Sequence, residues 1–358
     1  MLKFLALTFF LLPFLAFSAA WEQSDSPYKL KIDFNKKMDE LPIIGLLADK
    51  RKGWPASHWA SYLGSIAHRW SSSNPQNFQY PLSNLEELKN KEVHELEELS
   101  PAEKFDIFAG RYHYPMTKAV LSEVSPYESE WHGICHGVAP ASLNHPEPKT
   151  VTLTNADGIT LTFYSSDVAG LLSYYYAKKA STPVTFIGKR CYNRPGSRRG
   201  WRFWSDCNGL NPGSFHLILA NTLGNRGETF IADIDRYNEV WNHVAVEYRS
   251  YIHGELPSDS KSAKEAIKRI QVETLVKYAA AIAPKFDPVI GTENAEYLEN
   301  TYEYYLDVNS AGEIVGGEWI SEIRPDFIWF QGQANFTNEW SVLKEIYQPI
   351  TDNLDSVH

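Results

Sequence analysis

The chain has 358 residues, 43% of them hydrophobic and 14% aromatic, and a formal net charge of −10. That apolar content is enough to bury a sizeable core, which excludes a disordered chain, and the length suits two or three domains. The acidic balance argues against nucleic acid or an anionic membrane as the main partner.

Lys3 precedes an apolar run from Phe4 to Phe17, and Ser18, Ala19 and Ala20 supply small residues ahead of the polar Glu22-Gln23-Ser24-Asp25. The run is too short to span a bilayer and reads as a cleaved secretion signal over residues 1–20, with the mature chain starting near Trp21. No later stretch approaches a spanning length, so the expected product is secreted, extracellular or periplasmic, with no membrane attachment after cleavage. Disulfides persist in such surroundings.

Residues 21–125 are expected to form a helical N-terminal region. Trp59, Tyr62, Leu63, Ile66, Ala67 and Trp70 recur at helical spacing, predicting an amphipathic helix between Trp54 and Trp70. Leu85, Leu88, Val93, Leu96 and Leu99, set among glutamates, predict one or two surface helices. Ser100-Pro101-Ala102-Glu103 then carries the pattern of a capping box, and Gly110 is a natural stop.

Strands dominate later. The segments 151–154 and 160–163 flank the turn Asn155-Ala156-Asp157-Gly158 and predict a hairpin, followed by a helix over 168–177 capped by Ser165-Ser166-Asp167. Strand-like alternation is read in 214–220, 229–235 and 240–251, and another strand pair at 302–307 and 313–320. The expected fold class is α+β: a papain-like cysteine-enzyme core over 126–255 and a β-rich C-terminal region over 256–358.

Cysteine arithmetic points to chemistry. Cys191 and Cys207 flank a Gly/Arg/Pro-rich connection and read as a disulfide staple, which would stabilise by roughly 3 kcal/mol. Cys135 is then the odd thiol, in Trp131-His132-Gly133-Ile134-Cys135-His136-Gly137. A nucleophilic cysteine needs a depressed pKa, a base and a group that orients the base, and a helix starting beside Cys135 would favour thiolate through its dipole. His136 is a poor base because adjacent helical residues diverge by about 100°. His216 sits among apolar residues in 214–220, and a hairpin centred near Asn225 would bring Asp233 and Asp235 opposite it. The expected triad is therefore Cys135, His216 and Asp233, with Asp235 the alternative orienter. Its oxyanion donors would be the Cys135 N–H and the Trp131 indole N–H. Papain-like and transglutaminase-like enzymes share this arrangement of roles.

Five runs together resemble one family: residues 99–117 (LSPAEKFDIFAGRYHYPMT), 131–142 (WHGICHGVAPAS), 211–224 (NPGSFHLILANTLG), 230–242 (FIADIDRYNEVWN) and 316–329 (GGEWISEIRPDFIW). The chain resembles the transglutaminase elicitor family of oomycete plant pathogens and some marine bacteria. The resemblance implies a secreted, calcium-dependent protein-glutamine γ-glutamyltransferase with a papain-like core. It would join glutamine to lysine side chains of protein substrates through a Cys135 thioester, with His216 and Asp233 completing the triad. The segment 240–251 resembles the short peptide that plants perceive in oomycete members, but carries His243-Val244 where that peptide has Gln-Pro.

Two competing readings use the same residues: a papain-like protease or glutamine deamidase with water as acceptor, and a non-enzymatic secreted elicitor or surface protein. For the implied calcium, Asp307, Asn309 and Glu318 match part of an EF-hand loop, although Ala311 fails its fifth position and the flanks read as strands. No covalently held cofactor is expected.

Overall fold

The structure, a computed structural model, describes residues 20–73, 80–191, 209–237 and 239–351. The expected secretion signal up to residue 19, and Cys207 of the expected staple, lie outside the described residues.

The N-terminal part contains β1 (Ile44–Leu46), α1 (Leu85–Lys89), α2 (Val93–Glu97), α3 (Pro101–Phe108) and α4 (Pro115–Ser122). Helices α1 and α3 begin as their sequences dictate: Asn84 with Glu87, and Ser100 with Glu103, exchange reciprocal side-chain and backbone hydrogen bonds. Pro101 occupies the first turn of α3, where its missing N–H would have had no helical partner. The helix expected between Trp54 and Trp70 does not form. The segment holds two 3₁₀ turns, Ser61–Leu63 and Ser65–Ala67, divided by Gly64 at φ 102°. Trp54, Trp59 and Ile66 are nevertheless buried, so their apolar spacing marks core and not helix.

Next come α5 (Cys135–Asn144), the hairpin β2 (Val151–Thr154) and β3 (Thr160–Phe163), α6 (Ser165–Lys178) and β4 (Val184–Gly188). The hairpin pairs Val151 with Phe163 and Thr154 with Thr160, as its turn residues require. Residues 214–220, expected as a strand, instead belong to α7 (Pro212–Leu219), which continues into one π turn, Ala220–Gly224. Asn211 caps that helix through Oδ1 to the Gly213 N–H at 2.8 Å, with Pro212 at the first helical position. The helix is buried on all sides, so it shows no amphipathic period by which a short apolar run could be told from a strand.

The remaining elements are β5 (Ile231–Asp233), β6 (Asn242–Pro257), β7 (Lys268–Ala279), β8 (Tyr297–Val308), β9 (Ile314–Trp319), β10 (Phe327–Gln331) and α8 (Leu343–Ile346). An eight-stranded sheet runs β4-β10-β5-β6-β7-β8-β9, with β1 added to β6, and its pairs are antiparallel. The boundary expected after residue 255 falls inside β6, and the sheet takes strands from both sides of it.

Two main apolar cores result. One gathers Phe105, Phe163, Leu171 and Trp340 among the helices and the hairpin; the other packs Phe215 and Ile218 of α7 against Tyr248, Tyr302 and Tyr304 of the sheet. Helix α5 joins them. Ala139 packs with Ile231, Val244 and Trp329 of the sheet, while Gly137 lies so close to α6 that a Cβ there would come within 2.0 Å of the Ser173 carbonyl oxygen. Clamped on both sides, α5 has little freedom to move its first residue, Cys135.

Candidate active site

Cys135 is a free cysteine, buried, at the first position of α5. The segment before it is anchored to another part of the chain: the Ile134 N–H donates to the His58 carbonyl at 2.8 Å, and the Ser61 N–H to the His132 carbonyl at 2.7 Å. Gly133 permits this approach, since a Cβ there would meet the His58 carbonyl oxygen at 2.3 Å.

Around the sulfur, the Cys135 thiol donates to the Val240 carbonyl, with Sγ at 3.6 Å, and Asn242 Nδ2 donates to Sγ at 3.4 Å. The Asn242 amide oxygen accepts from Trp329 Nε1 at 2.8 Å. Burial pushes the thiol pKa above its ordinary value; the Asn242 amide and the N–H groups of Asn242 and His136 oppose it, and the nearby Asp233 charge raises it further. Cys135 thus rests as a thiol inside a set of donors that would hold a negative charge.

Cys135 lines an open cavity that it shares with His58, Trp54, Trp241, Asn242 and His243. The Trp241 ring contacts both imidazoles, 5.3 Å from His58 edge-on and 6.3 Å from His243 in a stack. His58 Nε2 bonds the Glu130 carbonyl at 2.9 Å, and His243 Nδ1 the Ala279 carbonyl at 2.7 Å. A carbonyl only accepts, so each contact fixes a tautomer when the ring is neutral: Nδ1 of His58 and Nε2 of His243 keep the lone pair. His243 is deeply buried, which lowers its pKa, and the Ala279 carbonyl only partly offsets this. His58 is half-buried.

His216, expected as the base, is elsewhere. It lies on α7, 2% exposed, with Nδ1 bonded to Tyr304 Oη at 2.8 Å, and burial pushes its pKa down to about 4. The hairpin that would have set it opposite Asp233 does not exist: β5 pairs with β6 and β10, and Asp233 lies opposite Asn242 and Phe327. Asp233 is close enough to Cys135 to affect its titration, but its Oδ1 accepts from the Trp241 N–H at 3.3 Å and its buried Oδ2 has no hydrogen-bond partner among the described residues. Burial first, then the charges of Asp326 and Asp235, push its pKa up to about 8. Asp235 Oδ1 accepts from the Tyr237 N–H at 2.8 Å and closes a turn. Trp131 packs against its neighbour His132 and is not among the cavity-lining residues. His136, set aside as a base, is exposed.

The calcium candidates do not make a cation site. Asp307 Oδ1 accepts from Arg269 Nε at 2.9 Å and Oδ2 from the Ala263 N–H at 2.7 Å. Glu318 pairs with Arg269 at 2.9 Å and Lys261 at 3.1 Å, while Asn309 Oδ1 accepts the Ala311 and Glu313 N–H groups at 3.0 and 2.9 Å. A fixed guanidinium occupies the place a cation would take, so these residues do not fit calcium. Among the described residues no cluster of three or more His, Cys, Asp or Glu side chains could hold a metal ion. Cys191 is buried, its N–H donating to Asp326 Oδ2 at 2.7 Å, while the pairing expected with Cys207 lies outside the described residues.

His58 and Asn242 are the site residues that sequence reasoning missed. His58 stands far upstream in a segment read as an amphipathic helix, and nothing in its neighbourhood marked it. His243 was visible only as a departure from a resembling peptide.

Comparison with known proteins identifies a family and a similar fold. The sequence profile of a family described as "Transglutaminase elicitor" matches residues 123–345, which span Cys135, every strand of the large sheet except β1, and Trp329. The fold is similar to the crystal structure of the GP42 transglutaminase from Phytophthora sojae. The TM-score is 0.68 at 20% sequence identity, over 91% of this chain and 97% of that one. A sequence comparison with curated proteins gives no match. Among the described residues no helix is long and apolar enough to cross a membrane.

Proposed function

Because the chain belongs to the transglutaminase elicitor family, we propose that it is a protein-glutamine γ-glutamyltransferase whose nucleophile is Cys135. The observation that carries this reading is a free thiol at the head of a clamped helix, flanked by hydrogen-bond donors and sharing an otherwise mostly apolar cavity with two imidazoles. The reaction would take place outside the cytoplasm, in keeping with the leader expected over residues 1–20.

His58 is the base we assign. Its Nδ1 keeps the lone pair on a half-buried ring, whereas burial of His243 disfavours that ring's charged form. His243 also stands where the resembling peptide carries glutamine. The orienter of His58 is the Glu130 carbonyl, a role that needs no aspartate. In the first half-reaction His58 Nδ1 takes the Cys135 proton as the sulfur attacks the carboxamide carbon of a glutamine side chain. The imidazolium then protonates the departing nitrogen, ammonia leaves and a Cys135 thioester remains. In the second, a lysine amine attacks the thioester, its proton passes to His58 and then to the sulfur, and an isopeptide bond is left. Walls from Trp54, Val138, Val244 and Ala279 leave water few partners near the thioester, which favours the amine over hydrolysis.

The test is incorporation of a fluorescent primary amine into a glutamine-rich protein by the full mature chain, beside Cys135→Ala, His58→Gln and His243→Gln. The expected result is loss with Cys135→Ala, a fall of roughly 10²- to 10⁴-fold with His58→Gln, and a smaller effect of His243→Gln. Ammonia release without amine incorporation would make the enzyme a deamidase, and a larger loss from His243→Gln would transfer the base to that residue.

A further inference from the structure

Asn242 is held from both ends. Its oxygen accepts from Trp329 Nε1 at 2.8 Å, and its nitrogen donates to Cys135 Sγ at 3.4 Å. The first contact dictates the second. An indole N–H can only donate, so a turned-over amide would set its NH₂ against the indole N–H, donor to donor, and aim its oxygen at the sulfur. The indole itself is fixed. Trp329 is buried in β10, lies opposite Ile231 of β5 and Phe186 of β4, and stacks on the Phe186 ring at 5.5 Å and 18°. From there it reaches over β5 to Asn242, the first residue of β6.

Resting on the acyl-transfer reading above, we propose that the Asn242 amide is an oxyanion donor of this enzyme and that Trp329 is the positioning residue that keeps its NH₂ turned toward the reacting atoms. When the sulfur bonds to the carboxamide carbon, the carbonyl π pair moves to oxygen. The resulting oxyanion lies one bond from the carbon that the sulfur holds, within the reach of Asn242 Nδ2. That donor already points at the sulfur before substrate arrives, so no reorientation is needed as charge develops. The arrangement gives the oxyanion a side-chain donor from β6, in place of the Trp131 indole expected from sequence. It also gives Trp329 a function at the site without contact to substrate.

The experiment compares the intact protein with Trp329→Phe, Asn242→Ala and the double variant, by amine-incorporation kinetics and by the pH profile of Cys135 alkylation with iodoacetamide. Phenylalanine retains the stack on Phe186 and removes only the N–H. Asn242→Ala is expected to lower kcat by roughly 10²- to 10³-fold with little change in KM. Trp329→Phe should lower kcat by roughly 10- to 100-fold through misorientation, and the double variant should be no slower than Asn242→Ala alone. Each variant should move the alkylation profile to higher pH, because the thiolate loses a well-aimed donor. Unchanged kcat in Trp329→Phe, or losses that multiply in the double variant, would overturn the positioning role. If the unmodified protein transfers no acyl group at all, the proposed function fails, and the alkylation profile still decides the inference: a shift in both single variants supports the orientation and an unmoved profile overturns it.

Discussion

Replacing Asp233 by asparagine should make the protein more stable at neutral pH and remove part of its pH dependence. Asp233 is 1% exposed, and its pKa is pushed from an ordinary 3.8 up to about 8. Between those values the folded chain keeps a proton that the unfolded chain releases, so this group makes folding less favourable as pH rises from about 4 to about 8. At pH 7 the difference amounts to about 4 kcal/mol, at ~1.4 kcal/mol for each pH unit above the ordinary value. Asparagine has no proton to keep, so Asp233→Asn should exceed the parent by about 4–5 kcal/mol near pH 7.5 and converge with it only toward pH 4. Urea unfolding followed by tryptophan fluorescence across that range reads both quantities. Because the Asp233 charge raises the Cys135 pKa, the variant should also be alkylated at lower pH. Parallel stability curves for the two proteins, or a variant weaker than its parent at pH 7.5, would mean that Asp233 is ionised and stabilised in the folded chain, and the reasoning from burial would fail.

Gly137→Ala places a Cβ within 2.0 Å of the Ser173 carbonyl oxygen, and should lower stability by about 1–3 kcal/mol together with turnover, as thermal melts and the amine assay would report. Lys104→Met leaves the Asp167 carboxylate, which Lys104 Nζ meets at 2.6 Å with both side chains fully buried, with the Trp70 Nε1–H and the Tyr164 N–H but no cation; a loss of about 3–5 kcal/mol in urea unfolding is expected, recovered in part by Lys104→Met/Asp167→Asn, whose amide removes the charge but offers only one acceptor oxygen to those two donors. Glu147, whose pKa burial pushes up to about 7, accepts the Val289 and Ile290 N–H groups at 2.7 and 2.8 Å. Its contribution also weakens as pH rises toward 7, so Glu147→Gln should flatten the stability curve between pH 5 and 7. Peptide mapping of the unreduced, denatured protein should find Cys191 linked to Cys207 and Cys135 alone open to alkylation; label on Cys191 would remove the staple.

Local signals were legible and long-range ones were not. The Ser100 capping box, the 155–158 turn and the helix start at Cys135 each depend on residues within a few positions, and the chain forms them as written. His216 was misplaced because a short, wholly buried run carries no period; the neighbouring Asn211-Pro212 pair was the helix-start signal and should have outweighed the alternation. Asp307 and Glu318 read as ligands because the sequence does not display that Arg269 of β7 pairs with both. His58 and Trp329 meet the Cys135 region only through contacts between distant segments, which a single sequence does not encode in any local pattern.

The contact from Cys135 Sγ to the Val240 carbonyl bears on the durability of the protein. Sulfur is attacked by peroxides and exchanged with disulfides chiefly as thiolate, and a buried thiol that donates its proton to a carbonyl offers little of that form. In oxidising surroundings an odd cysteine is the residue most exposed to chemical ageing, through sulfenic acid and mixed disulfides. Under the proposed function, the same burial would slow the first catalytic step and preserve the nucleophile between encounters. Storage life and reactivity are therefore set by one proton, and a variant that frees the thiolate early should start faster and wear out sooner.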